Sequence, residues 1–410
     1  MDVVDAALTK RAALEEALAS PALAALDPRD RGFAHMLALT LLRRLGQIDR
    51  ILADRLKSPP PESVMRLLRL GLAQVLFMDV PDHAAVATTL NLAEKNRETN
   101  HFKGLINGVL RGVVREAPKL NPEDLAPPWL YARWRAAYGP QVSRLIAETI
   151  PIEPATDLSL RQSDSDLAVA LEAIELPGGS LRSALRGDVA AWPGYAEGRW
   201  WVQDAAAALP ARLLAVQPGE TVLDLCAAPG GKTLQLAAAG AAVTALDRSA
   251  SRLGRLRENL GRTALTAEVV AADAAAWPDP RQFDAVLLDA PCSATGTFRR
   301  HPDVLWASRP ADIAALSRAQ ARLLTAAADR VRPGGRLVYC VCSLEREEGE
   351  DQVALFLSRR PDFARAPVAP DEAGAPAASV TADGDVRLLP HHIEGGADGF
   401  FVARFVRKNP

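Results

Sequence analysis

Cysteine is scarce, with four in 410 residues, and all of them lie between Cys226 and Cys342. A secreted scaffold stapled by disulfides spreads its cysteines over the whole chain, so that class is excluded. No run of about 18 apolar residues occurs, and an ordinary membrane-spanning helix is not expected. Met1-Asp2 is not followed by the basic and apolar segments of a secretory signal, which makes a reducing cytoplasm the expected compartment. An excess of positive charge is missing too. The 48 basic residues are offset by 50 acidic ones, for a formal net charge of -2. A nucleic-acid partner must then be held by local patches, not by a general field. The hydrophobic content is 49%, enough over this length to build two or three domains.

Residues 1 to about 118 read as helix throughout. Val64, Leu68, Leu72, Val75 and Leu76 recur at helical spacing and make one apolar face. Asp27-Pro28 offers a capped helix start, while Pro59-Pro60-Pro61 and Val80-Pro81 interrupt the run. Five or six helices are expected. Arg43, Arg44, Arg66, Arg69, Lys103, Arg111 and Arg115 form either a solvated face or an RNA-contacting surface, and the sequence leaves both open. His35, His83 and His101 lack ligand spacing and read as structural.

Asn121-Pro122 and Pro127-Pro128 mark a linker with short helices to about Ile150. A small α+β region follows, with a strand at Thr156–Arg161, a helix from about Asp164 to Ile174 and a strand near Ser180–Leu185. Trp192, Trp200 and Trp201 read as packing residues. From Thr221 strands and helices alternate: strands at 221–226, 242–247, 267–272, 283–289 and 335–341, helices at 232–239, 249–260, 311–331 and 346–359. That grammar predicts a mostly parallel sheet covered on both faces. Val386–Pro390 and Gly399–Val406 read as an antiparallel pair at the sheet edge, and residues 364–383 as a surface loop. The expected domains are 1–120, 121–205 and 206–410.

Thr221–Thr233 is an apolar strand, a tight turn and a helix start, which aims free backbone N–H groups at a ligand. Gly231-Lys232-Thr233 resembles the end of a P-loop, but the glycine required five residues before Gly231 is Cys226. Asp247, Asp273 and Asp289 close the next three strands, where open α/β sheets bind ligands. A single such aspartate often only caps a helix. Three in succession favour a nucleoside-containing cofactor.

Asp289-Ala-Pro-Cys292-Ser293 and Tyr339-Cys340-Val-Cys342-Ser343 converge on the same edge. Cytosolic thiols there are packing groups, metal ligands or nucleophiles. Zinc-ribbon spacing is lacking, so no metal is expected. A thiol, a carboxylate and a methyl donor together suit alkylation of a pyrimidine at C5, because thiolate addition at C6 makes C5 nucleophilic. The residues alone do not choose between Cys292 and Cys342.

Leu223–Thr233, Asp289-Ala-Pro-Cys292-Ser293 with Gly296, and Tyr339-x-x-Cys342-Ser343 together resemble the Sun/Nop RNA 5-methylcytosine methyltransferases. Val80–Val86 and Phe102–Arg111 are similar to the NusB-type RNA-binding fold, a pairing that marks the bacterial RsmB (Fmu) branch. Val202-Gln203-Asp204, Arg299-Arg300-His301-Pro302-Asp303 and Asp398-Gly399-Phe400-Phe401 also resemble that branch. The resemblance implies an all-α NusB-like domain, a small α+β insert and a Rossmann-like methyltransferase domain. It implies S-adenosylmethionine held by Cys226, Ala227, Ala228, Pro229, Gly230, Gly231, Lys232, Asp247, Asp273 and Asp289. It further implies Cys342 as the nucleophile, Asp289 as support near cytosine N3, Cys292 in product release, and Arg299 and Arg300 as RNA contacts. The implied partner is 16S ribosomal RNA, free or partly assembled, acted on by a cytoplasmic enzyme for which a monomer is favoured. A transfer-RNA methyltransferase and a non-catalytic RNA-binding factor are the alternatives. Cys340 and Val341 stand where the family has a small residue and threonine, and Ser163 stands where it has asparagine.

Overall fold

The computed structural model describes residues 2–8 and 14–410; the helical expectation for residues 9–13 lies outside them. The chain divides into two compact units, Met1–Ile152 with Phe298–Ala307, and Glu153–Thr297 with Ser308–Pro410.

The first unit is helical. Its longer helices are α1 (Pro28–Arg55), α2 (Glu62–Phe77), α3 (Asp82–Lys95), α4 (Lys103–Glu116) and α5 (Pro128–Glu148). Asp27 caps α1, its carboxylate accepting the Arg29 and Asp30 N–H groups. The prolines act as expected, α2 starting directly after Pro61 and α3 after Pro81. Val64, Leu68 and Leu72 of α2 are fully buried, as are Ile106, Leu110 and Val113 of α4. Each such side chain contributes roughly 1.5–3 kcal/mol of burial free energy. The expected short linker helices are present: a 3-10 turn at Pro122–Leu125, then two helical stretches within α5 that meet at Gly139, whose backbone is not helical (φ 80°, ψ 170°), just before Pro140. A proline ring disfavours helical backbone at the residue before it, and glycine accepts the alternative.

Residues 298–307 are seated in this unit although they follow the Cys292 loop in sequence. Phe298 packs on Trp134 with ring centroids 5.7 Å apart. Arg43 donates to the Arg299 carbonyl at 3.0 Å, and the Trp306 indole N–H to the Leu42 carbonyl at 3.0 Å.

The second unit carries two sheets. The smaller has the order β2-β3-β1-β4 and is antiparallel: β1 (Thr156–Leu160), β2 (Ala173–Glu175), β3 (Leu181–Ser183) and β4 (Trp200–Val202). The helix expected to reach Ile174 stops at Ala170. Glu172 takes a left-handed backbone (φ 46°), which ends the helix and redirects the chain into β2. Trp192, Trp200 and Trp201 are buried as packing groups.

In the larger sheet β5 (Thr221–Leu225), β6 (Ala242–Asp247), β7 (Glu268–Ala271), β8 (Phe283–Asp289) and β9 (Val331–Val341) are parallel. β10 (Phe363–Arg365), β11 (Val386–Leu388) and β12 (Phe400–Arg407) complete it. Its order is β10-β12-β9-β8-β5-β6-β7, with β11 and β9 both antiparallel to β12. The helices that follow strands in sequence include α6 (Ala205–Leu213), α7 (Gly231–Ala238), α8 (Ala250–Thr263), α9 (Pro310–Asp329) and α10 (Glu350–Arg359). Val222, Leu223, Val286, Leu287, Val338 and Tyr339 are fully buried, as parallel strands covered on both faces must be. Residues 364–383 are more ordered than a surface loop. The Val368 N–H donates to Gly384, Arg404 pairs with Glu372, and Val368 and Ala375 are buried. Their Ala/Pro composition carries no period, so the tertiary contacts that fix them leave no trace in the sequence. Among the described residues, no helix is long and apolar enough to cross a membrane.

Candidate active site

The sheet reverses its strand order around β5, with β8 on one side and β6 on the other. The crevice beyond the carboxyl ends of these strands is where such sheets bind ligands. β5 ends at Leu225 and the chain turns at Cys226 in a left-handed backbone (φ 60°). Gly230 has φ 111°, and a Cβ there would overlap the Leu256 side chain, so only glycine fits. α7 starts at Gly231, its first-turn N–H groups directed beyond the strand end. Thr233 in that turn donates to Asp224 Oδ2 at 2.6 Å and ties the helix start to β5.

Burial pushes the Asp224 carboxyl up to about 7, against the Thr233 hydrogen bond. Asp224 therefore stays protonated in the folded chain over a range where an unfolded aspartate ionises. The resulting stability is complete below the ordinary pKa near 3.8 and is lost as pH rises through about 7. Asp224→Asn, the isostere of the protonated acid, is expected to raise the unfolding temperature at pH 8 by a few degrees. The advantage should shrink towards pH 4 in a calorimetric series; a gain independent of pH would contradict it.

The three strand-end aspartates differ in setting. Asp247 closes β6 almost fully buried, accepting the Ala228 N–H (3.1 Å) and the Ser249 N–H (2.8 Å). Asp273 is exposed two residues beyond β7 and accepts the Ala275 N–H at 2.9 Å. Asp289 closes β8, where Lys232 Nζ meets its Oδ2 at 2.7 Å and the Cys340 thiol meets its Oδ1 at 3.5 Å. Sheet register sets the last contact, because Asp289 lies opposite Cys340 on β9. Burial opposes the Lys232 charge, yet the Asp289 carboxylate beside it holds the ammonium above its usual range.

Cys292 and Cys342 come from different loops, and their Sγ atoms lie 3.4 Å apart. That hydrogen bond, and then burial, push the Cys292 thiol well above its usual range. Cys226 is pushed up to about 12 by burial and then by Asp289 and Asp247, and Cys340 is raised by burial and Asp289. Val341, where the family has a hydroxyl, packs its side chain into the core among Leu225, Leu288 and Phe401. The loops are also joined by backbone. The Gly296 N–H donates to the Cys342 carbonyl (3.0 Å), and the Gly399 N–H to the Gly296 carbonyl (2.8 Å). A Cβ on Gly296 would overlap the Gly399 carbonyl. Asp204 accepts the Asp398 N–H at 3.2 Å, so segments nearly two hundred residues apart close this edge together.

The remaining expected site residues lie in the helical unit. Arg299 is 2% exposed and Arg300 half-buried. Several basic side chains of that unit are engaged within it. Arg66 pairs with Asp5, Arg69 with Asp49 and Glu62, and Lys103 with Glu94; Arg111 is exposed, as is Arg115, which lies 3.8 Å from Glu116. Among the described residues no three His, Cys, Asp or Glu side chains converge to hold a metal ion. Ser293, Ser343, Gln320 and Glu348 link the cysteine loops; the two serines stand in the motifs without an assigned role, directly after Cys292 and Cys342, whereas Gln320 and Glu348 carry no signal in the sequence.

Residues 211–406 match the family described as 16S rRNA methyltransferase RsmB/F, and residues 1–115 match the NusB family. The chain is 36% identical to the ribosomal RNA small subunit methyltransferase B of Cronobacter sakazakii, over 93% of this chain and 92% of that one. It is 38% identical to the protein of the same name from Salmonella typhi, over 93% and 91%. The crystal structure of PH0851 shares the fold with a TM-score of 0.77 at 24% identity, covering 96% of this chain and 93% of that one. A methyltransferase homologue from Pyrococcus horikoshii gives 0.58 at 25% identity, covering 68% and 95%. With a NusB-like helical unit, a Rossmann-like methyltransferase unit and full-length relatives at this level of identity, the chain belongs to the ribosomal RNA small subunit methyltransferase B family.

Proposed function

We propose that the protein methylates C5 of a cytosine in small-subunit ribosomal RNA through a covalent bond between Cys342 and C6. The observation that carries this reading is the pair of thiols, Cys292 and Cys342, 3.4 Å apart at the strand edge that also holds Asp289. A binding module has no use for two close thiols beside a carboxylate, which argues against a non-catalytic factor.

The cradle fits S-adenosylmethionine. Gly230 lets the turn take its left-handed backbone against Leu256 of α8, and the α7 N-terminus that follows suits the donor's carboxylate. Asp247 offers acceptor oxygens for ribose hydroxyls, and the exposed Asp273 one for an adenine amino group. Cys226, Ala227, Ala228, Pro229 and Lys232 complete the turn. When bound, the cofactor supplies an electrophilic methyl group.

The protein's own residues do the rest. As the Cys342 thiol gives its proton to water, its sulfur bonds to C6. The C5=C6 pair moves between C4 and C5 and the C4=N3 pair moves onto N3, which takes up a proton, leaving C5 enamine-like. Asp289, oriented by Lys232 and Cys340, supports the ring near N3. After C5 is methylated, N3 gives back its proton, and the C5 proton passes to water with the assistance of Cys292. The C5–H pair restores the C5=C6 bond as the C6–S bond breaks, the Cys342 sulfur taking up a proton as it leaves. Cys292 assists this release, its thiol hydrogen-bonding the departing sulfur. The target base must leave its stack, at a cost of a few kcal/mol that is least in single-stranded or partly assembled RNA. Free or incompletely assembled ribosomal RNA in the cytoplasm is therefore the expected substrate. Contacts from the helical unit and Arg300 would position it. Mapping 5-methylcytosine in ribosomal and transfer RNA with and without the gene tests the assignment. One small-subunit cytosine should lose its methyl group; loss confined to transfer RNA would overturn the choice of substrate.

A further inference from the structure

Glu348 closes the 3-10 turn Arg346–Glu348 and is fully buried. Its carboxylate meets four donors. Oε2 accepts the Ser293 hydroxyl and the Ser343 hydroxyl, each at 2.5 Å. Oε1 accepts the Ser293 N–H at 2.9 Å and Gln320 Nε2 at 3.0 Å. Ser293 directly follows Cys292, and Ser343 directly follows Cys342. One carboxylate thus holds the residue next to each thiol, although the two loops leave different strands.

The surroundings hold Glu348 in turn. Gln320, itself fully buried on α9, also donates to the Pro291 carbonyl at 2.9 Å, one residue before Cys292. The Tyr339 hydroxyl donates to the Glu348 carbonyl at 2.6 Å. Arg387, paired with Glu350, donates to the Ser343 carbonyl at 2.5 Å. A carboxylate is an acceptor only, so both serine hydroxyls must point their protons at it and neither can rotate freely. Burying such a charge is costly unless every lone pair is used. The cost is accepted here at a carboxylate that reaches the residues following both thiols, beside the backbone bond from Gly296 to Cys342.

We propose that Glu348 is a positioning residue, whose carboxylate clamps the Cys292 and Cys342 loops through Ser293 and Ser343 and sets the distance between the sulfurs. This rests on the reading of Cys342 and Cys292 as the working pair. Loosening the clamp leaves both thiols and the cofactor cradle in place but spoils their mutual geometry, so the chemical step suffers more than binding.

The test uses the full-length protein and dibromobimane, which becomes fluorescent on bridging two nearby thiols; peptide mapping locates the bridge. Wild type should bridge Cys292 to Cys342 rapidly. Glu348→Ala should slow bridging about tenfold and lower kcat about 100-fold, with KM for RNA little changed, as expected when reacting groups are misplaced by an ångström or so. Glu348→Gln, whose amide oxygen can still accept both serine hydroxyls but whose NH2 then faces the Ser293 N–H, should restore part of both rates relative to Glu348→Ala. Ser343→Ala removes the hydroxyl that links Glu348 to the Cys342 loop, together with its 3.1 Å contact to the Ser293 hydroxyl, and perturbs the core least, so it decides the matter should Glu348→Ala fail to fold. Slower bridging and lower kcat in that variant support the clamp. Bridging and kcat at wild-type levels in it overturn the clamp. Bridging requires no methyl transfer, so it tests the clamp even if Cys342 is not the nucleophile, a point that Cys342→Ala tests separately.

Discussion

Cys342→Ala is expected to abolish methyl transfer, lowering single-turnover rates by on the order of 10⁴-fold or more, as removal of a covalent nucleophile does elsewhere. The other thiols are poor substitutes. Cys340 is buried and spends its proton on Asp289, and Cys226 is pushed up to about 12. Cys292 is closest, at 3.4 Å, but is held protonated by its hydrogen bond to Cys342 and by burial. Cofactor affinity, measured by calorimetry, should stay within about twofold, because the cradle around Gly230 is separate from the Cys342 side chain. Retained transfer, or loss of cofactor binding in step with activity, would contradict the assignment.

Cys292→Ala should give the opposite outcome. The Cys342 sulfur still adds to C6, but release loses the thiol that hydrogen-bonds the departing sulfur. A protein–RNA complex resistant to denaturant and heat is expected to accumulate on mixing with substrate and cofactor. Turnover should fall on the order of 100-fold, the usual effect of removing a positioned proton-transfer group. Denaturing electrophoresis with labelled RNA reads the adduct directly. An adduct appearing only in Cys342→Ala would exchange the roles of the two cysteines, and a Cys292→Ala protein that turns over normally would remove Cys292 from product release.

Much of this architecture is legible because it is local. The run from Val222 to Leu225, the break at Cys226 and the helix from Gly231 follow from hydrophobic pattern and turn residues, and the structure has strand, turn and helix there. Asp247 and Asp289 end strands because the apolar runs before them end. Long-range contacts are less visible. Nothing around Phe298–Ala307 signals that this stretch packs in the helical unit, since its Trp134 and Leu42 partners are more than a hundred residues away. Glu348 sits near the start of the helix expected over 346–359, in the run Glu345-Arg346-Glu347-Glu348, where no apolar pattern signals burial. Its burial depends on Ser293 arriving from another loop. The Asp289–Cys340 contact needs the β8–β9 register, which no single strand specifies alone.

The most direct measurement is to digest the Cys292→Ala protein after reaction with RNA and cofactor and to locate the bound nucleotide by mass spectrometry. The residual cytidine should be on the peptide containing Cys342, carrying one added methyl group. Attachment at Cys226 or Cys340, or no attachment to any cysteine while methylation proceeds, would contradict a covalent mechanism through Cys342.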